Sequence, residues 1–172
     1  MKIIQGLKQI KDLSAKAHDI GLLIQENCAI DNITTPKYGT VAQQRKKVDG
    51  WLQAYSDILK EILKIRIQIQ KTNLATFVDI ELDGKIVTKT IAEWIHRRRD
   101  LANDEFQVWS LLSDRGIKEG RAKNASGDEF EVKLIRFYDP DEKDAKMALF
   151  KSEPGIIDAT LEVTNAVTDL LE

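Results

Sequence analysis

Cysteine occurs once, at Cys28, so no internal disulfide framework holds this chain together. Histidine occurs twice, at His18 and His96, with no second His four residues on and no Cys pair, so the spacing of a zinc site is missing. No Gly-rich phosphate loop and no nucleophile motif appear. Asp139, Asp141, Glu142 and Asp144 cluster as a calcium loop would. Counted from Asp139, however, position six is Asp144 where Gly is needed, and position twelve is Phe150 where Glu is needed. Acids at a helix start are explained by the macrodipole instead. These gaps argue against an enzyme, and no metal or cofactor is expected. Long apolar runs are also missing. Lys2, Lys8 and Lys11 interrupt the N-terminal one, and the uncharged stretch between Asp19 and Glu26 is far too short to span a bilayer. Neither a secretion signal nor a membrane span is expected, which points to the cytoplasm or an assembled particle. What remains, 172 residues with 42% hydrophobic content, suffices for a core without staples.

Charge is abundant but unevenly placed. Residues 1–76 carry 12 Lys+Arg and 7 Asp+Glu, a net of +5, and residues 77–172 carry 14 and 21, a net of −7. Oppositely charged halves suit self-association, whereas the acidic half would repel phosphate and argues against nucleic acid. The simpler reading is that both halves are solvated faces of mixed charge.

Apolar spacing predicts a mainly α fold. Ile3, Leu7, Ile10, Leu13, Ala17, Ile20 and Ile24 alternate spacings of four and three, which predicts an amphipathic helix over 2–28. Residues 29–39 form a loop. Thr40 is placed to cap a long helix over 41–72, on the order of 48 Å at 1.5 Å per residue. Along it, Val48, Leu52, Tyr55, Leu59, Ile62, Arg66 and Ile69 keep a 4-3-4-3-4-3 spacing, the seam of a coiled coil. A second row, Trp51, Ile58 and Ile65, lies beside it. The first helix cannot cover so broad a face, so these ten residues are the expected oligomer interface. Arg66, a cation in the seam, would fix register by meeting a carboxylate, or else snorkel to water.

The period then changes. Asp83-Gly84 between β-formers predicts a hairpin over 77–88, because a type I′ turn needs positive φ at both central residues. Thr90 and Glu93 make a capping box for a helix over 91–113, with Gly116 as its stop. Residues 115–129 read as a mobile connection or the start of a second hairpin. Residues 130–138 read as a strand, with a bulge or two covered faces where Ile135 and Phe137 shift the apolar side. A short helix over 141–151 and a last helix opened by Pro154 through Leu170 complete the chain. The expected organisation is a three-helix antiparallel bundle with its hairpin over 1–115. A β/α arm over 116–172 follows, able to pack on a neighbouring subunit.

The basic run His96-Arg97-Arg98-Arg99 cannot form one flat patch, since successive helical residues point in different directions. Arg97 with Asp100, or Arg98 with Glu105, would pair instead. Arg97, Arg98 and Arg99 remain the candidate anion contacts. A nucleic-acid-binding module would use these with Lys46 and Lys47, although neither run is interleaved with aromatics.

The string Ile69-Gln70-Lys71-Thr72-Asn73-Leu74-Ala75-Thr76, the turn Asp83-Gly84-Lys85, Thr88, Ala92 and Arg98-Arg99-Asp100-Leu101 resemble a family of small bacterial helical proteins, some labelled septicolysin. The likeness covers roughly residues 1–115. It implies long antiparallel helical hairpins that form homo-oligomers, and no catalytic residues. Tyr138-Asp139-Pro140, Ser152-Glu153-Pro154-Gly155-Ile156-Ile157-Asp158 and Thr164-Asn165-Ala166-Val167-Thr168-Asp169-Leu170 are similar instead to the tails of uncharacterised phage proteins. The expected function is therefore a non-enzymatic, homo-oligomeric structural or assembly protein. The tail likeness implies a phage virion component (head, connector or tail) with other virion proteins as partners. The family label implies a membrane-active protein as the alternative.

Overall fold

The computed structural model describes all of residues 1–172. The chain is mainly α-helical with two antiparallel β-hairpins. It divides into two compact units, residues 1–76 with 162–172, and residues 77–161. The boundary expected near residue 115 thus falls at 76/77 instead. The third helix belongs to the second unit rather than to a three-helix bundle.

In the first unit, α1 (Ile3–Asn27) and α2 (Val41–Ala75) are an antiparallel pair. Ile3, Leu13 and Ala17 are buried as the periodicity predicts. Leu7 is not: it is 47% exposed, and Gly6 takes the inward place. A Cβ on Gly6 would lie 3.0 Å from Leu170 and 3.3 Å from Ile65, so the bare backbone admits both neighbours. Thr40 caps α2 as expected: its Oγ1 accepts from the Gln43 amide at 3.3 Å, and Gln43 Oε1 accepts from the Thr40 amide at 2.8 Å.

Both ends of this helical pair are tied. At the loop end, Gln44 donates to the Asn27 carbonyl at 2.9 Å and accepts from the Tyr38 amide at 3.1 Å. The Tyr38 ring meets Trp51 edge-on at 5.4 Å. At the other end the tail folds back on the N-terminus. The Ile3 amide donates to Thr168 O, and the Leu170 amide donates to Met1 O. The Leu171 amide donates to Thr72 Oγ1, and Lys2 pairs with Asp169 at 2.7 Å.

In the second unit, β1 (Phe77–Leu82) and β2 (Lys85–Thr90) pair from Phe77↔Thr90 to Leu82↔Lys85. Asp83 and Gly84 take φ of 54° and 70°, as the Asp-Gly signal requires. Val78 and Ile80 turn inward while Asp79 and Glu81 face water. Thr90 and Glu93 form the expected capping box for α3 (Ile91–His96). Trp94, fully buried, donates its indole N–H to Val78 O at 3.0 Å. The helix continues through a π turn (Arg97–Leu101) into α4 (Ala102–Ser110). It ends a turn earlier than residue 113.

Two expectations for the remainder are corrected. The strand over 130–138 is a short second hairpin, β3 (Gly120–Lys123) with β4 (Glu129–Val132), closed by Asn124 and Gly127. Beyond Val132 the backbone is held by side chains: Arg136 forks onto Asp114 through two 2.7 Å bonds, and Tyr138 donates to the same carboxylate. Ile135 and Phe137, 72% and 97% exposed, have no covered face at all. The two C-terminal helices are one, α5 (Pro140–Val167), with Pro154 inside it. Asp139 starts α5 by accepting from the Asp141 amide at 2.9 Å. Phe150, Glu153, Ile157 and Leu161 form one buried row across the proline. That row lies in the second unit with α3, so this stretch of the arm is packed within the chain, not left for a neighbour.

Candidate assembly surface

α2 has 35 residues and is about 52 Å long; α1, with 25, is about 15 Å shorter. The length mismatch and the width of the apolar face decide what α1 covers. Gln44, Ile62, Ile65, Ile69 and Thr72 are buried, and Val48, Trp51 and Ile58 are half-buried. The covered row therefore runs through Trp51, Ile58 and Ile65, the row expected to be surplus.

The expected ten-residue interface divides accordingly. Ile62, Ile65 and Ile69 are already buried, and Val48, Trp51 and Ile58 are partly so. Leu52, Tyr55, Leu59 and Arg66 are exposed. Arg66 is not a buried seam cation but points to solvent, the snorkelling alternative. A straight helix of 3.6 residues per turn drifts about 20° per heptad from a 3.5 repeat. The half of the seam through Val48, Tyr55, Ile62 and Ile69 therefore drifts steadily toward the covered row and reaches it at Ile62 and Ile69, while the other half, Leu52, Leu59 and Arg66, stays outside.

The uncovered apolar residues form a stripe of their own. Leu52, Leu59, Leu63, Ile67 and Leu74 are 52%, 46%, 58%, 44% and 66% exposed. At 100° per residue they fall on one side of α2, roughly a third of a turn from the buried row. Leu63, Ile67 and Leu74 were absent from the expected interface. Their successive spacings of four, four and seven residues on from Leu59 were the available signal. The stripe is symmetric about Leu63, with Leu59 and Ile67 four residues to either side and Leu52 and Leu74 eleven. Its charged border is Lys60, Lys64, Arg66 and Lys71, with Glu172 beside them; Lys60 is paired to Asp57 at 3.1 Å and Lys71 donates to the Glu172 carbonyl at 2.9 Å.

Each candidate anion contact has a carboxylate partner within the chain. Arg97 forks onto Glu105 at 2.7 and 3.0 Å and also holds Glu153, whose side chain is 2% exposed. The two carboxylates raise the Arg97 pKa further above its ordinary value, and Arg97 in turn lowers that of Glu105. Arg98 pairs with Asp158 and Arg99 with Asp100. Arg97 has both ends of its fork taken, whereas Arg98 and Arg99 each use one nitrogen on an exposed carboxylate and stay 40% and 65% exposed. The expected pairings are shifted as well: Glu105 takes Arg97 rather than Arg98, and Asp100 takes Arg99 rather than Arg97. The π turn supplies the reason, since its extra residue changes which side chains share a face.

No helix is long and apolar enough to cross a membrane. No family model, curated protein or solved structure matches the chain.

Proposed function

We propose that the chain is a non-enzymatic structural subunit that self-associates through the outer stripe of α2. The carrying observation is the symmetric row Leu52, Leu59, Leu63, Ile67 and Leu74, exposed on a helix longer than its partner. A row that reads alike in both directions is self-complementary: laid antiparallel on a second copy, Leu63 meets Leu63, Leu59 meets Ile67 and Leu52 meets Leu74. Contiguous apolar stripes of this kind mark interaction surfaces. The positive border sets a further property. Lys64 and Arg66 of the two copies would approach one another, so added salt strengthens the pairing by screening like charges. From the likeness of residues 138–170 to phage-protein tails we propose a virion as the setting, a placement that capsid, portal or tail genes beside this one would support.

Size-exclusion chromatography with light scattering tests the pairing. We expect a dimer or larger species at micromolar concentration, tighter at higher salt, and a monomer of unchanged helicity for Leu59→Glu/Leu63→Glu. A wild-type monomer at all salts overturns the proposal. An amphipathic stripe bordered by lysines also suits a lipid interface. Dye release from anionic liposomes, abolished by the same double substitution, would transfer the reading to a membrane-active protein.

A further inference from the structure

At the loop end of the helical pair, a cleft of about 380 Å³ lies between the end of α1, the loop that follows and the first turns of α2. Ala29, Ile30, Pro36, Val41 and Val48 give it an apolar wall. That wall is within reach of a partner: Val41 is 72% exposed and Ile30 46%. Open apolar surface of this kind marks an interaction site. Cys28, the chain's single thiol, lines the same cleft and is exposed.

The loop beside the cleft carries a matching projection. Ile33 is 88% exposed, and its backbone is pinned: Asp31 Oδ1 accepts from the Ile33 amide at 3.0 Å and from the Thr34 amide at 2.7 Å. A pinned projection loses little freedom when it docks. The charges match as well. The loop carries Asp31 and Lys37, and the helix side of the cleft carries Arg45 and Asp49, neither of them held by an ion pair within the chain. Asp31 accepts only from uncharged amides, so its charge is also unopposed. Projection and cleft, with one acid and one base each, stand at the same end of one unit. Two copies related by a two-fold axis therefore satisfy both contacts reciprocally.

We propose that a second copy of this chain docks here end to end. Each Ile33 enters the other copy's cleft, Asp31 of one faces Arg45 of the other, and Lys37 faces Asp49. The contact is small and belongs among weak encounters, so it forms well above the concentrations at which the α2 stripe acts. It does not rest on the stripe; where both operate, it joins stripe-paired dimers into larger assemblies.

The Leu59→Glu/Leu63→Glu chain isolates this contact. Sedimentation equilibrium should show its mass rising from monomer towards dimer between about 10 μM and 1 mM, the range of a weak encounter. Adding Ile33→Asp should weaken association at least roughly tenfold, because two buried isoleucines are lost per dimer. Lys37→Glu and Asp49→Lys should each weaken it roughly threefold, and the two together should restore it. Cys28 reports on the cleft itself. Its alkylation by iodoacetamide should slow roughly fivefold as the dimer forms, and should keep the monomer rate in the Ile33→Asp chain. A monomer throughout this range overturns the proposal. So does a dimer that Ile33→Asp leaves intact, or one in which Cys28 reacts at the monomer rate. Protection of Cys28 by anionic vesicles without any dimer would assign the surface to lipid instead.

Discussion

Glu153 has only 1% of its surface exposed and sits one residue before a proline, an unpromising place for a charge. It is tolerated because Arg97 reaches it through two nitrogens, while Glu105 takes the remaining guanidinium donors and Phe150 lies under the cation at 5.5 Å. Breaking such a pair costs more than never building it, because the survivor is left uncompensated. Glu153→Leu should therefore destabilise the chain by about 3 kcal/mol, at the lower end for a buried pair because Glu105 still holds Arg97. Adding Arg97→Met should recover much of that loss. Urea denaturation of both single variants and the double closes the cycle, and an additive double variant would show that the two side chains are not coupled. The pairing itself was only half legible in the sequence. The arginine run promised internal ion pairs, but Glu105 takes the arginine one position before the expected one and Asp100 the arginine two positions after, because nothing in the residues Arg97–Leu101 announces a π turn.

Among the elements, the most legible were those with a local chemical signature: Thr40 and Thr90 as caps, Asp83-Gly84 as the hairpin turn, and the long period of α2. The least legible were those where tertiary packing overrides local preference, and α5 is the clearest. Pro154 lacks an amide proton, so the Phe150 carbonyl loses its helical partner, and its ring crowds that same carbonyl. The residues on either side nevertheless stay helical, because Phe150, Glu153, Ile157 and Leu161 bury one continuous row that would be split by a break. Packing on that row outweighs a local penalty of about 3 kcal/mol. Replacing the proline should then release the penalty without disturbing the row. We expect Pro154→Ala to raise stability by about 1–3 kcal/mol in urea denaturation, part of the gain being lost where the ring lines a shallow cleft with Phe106 and Phe150. A destabilised variant would mean that the proline shapes the contact it sits in. Reading the strand over 130–138 failed for the converse reason. Its alternation was real, but Asp114 recruits Arg136 and Tyr138, and the segment is fixed by side chains in place of a ladder.

For the molecule as a whole, the sign change in charge coincides with the boundary between units at 76/77, a break that the change of apolar period at residue 77 also marks, although the domain boundary was expected near residue 115. The tail moderates it: the three acids of residues 162–172 lower the first unit from +5 to +2, and the second unit, without them, stands at −4. Both units meet acid in the same way. Asp169 is held below the ordinary carboxylate range by Lys2 in the first unit, and Glu105 by Arg97 and Asp114 by Arg136 in the second. A carboxyl whose pKa is lower folded than unfolded binds more protons in the unfolded chain. Its contribution is therefore complete above the unfolded value of about 4 and is lost as pH falls through the folded value. The urea midpoint should be level from neutral pH down to about 5 and then drop steeply below about 4. Salt should flatten the drop, since Asp169 and Asp114 lie at the surface where ions screen them. Glu105→Gln and Asp169→Asn each remove one proton-linked group, one from each unit, and should each shallow the slope while leaving the neutral plateau lower. A midpoint that rises on acidification would mean that repulsion among the second unit's surplus acids, relieved by protonation, outweighs these three ion pairs.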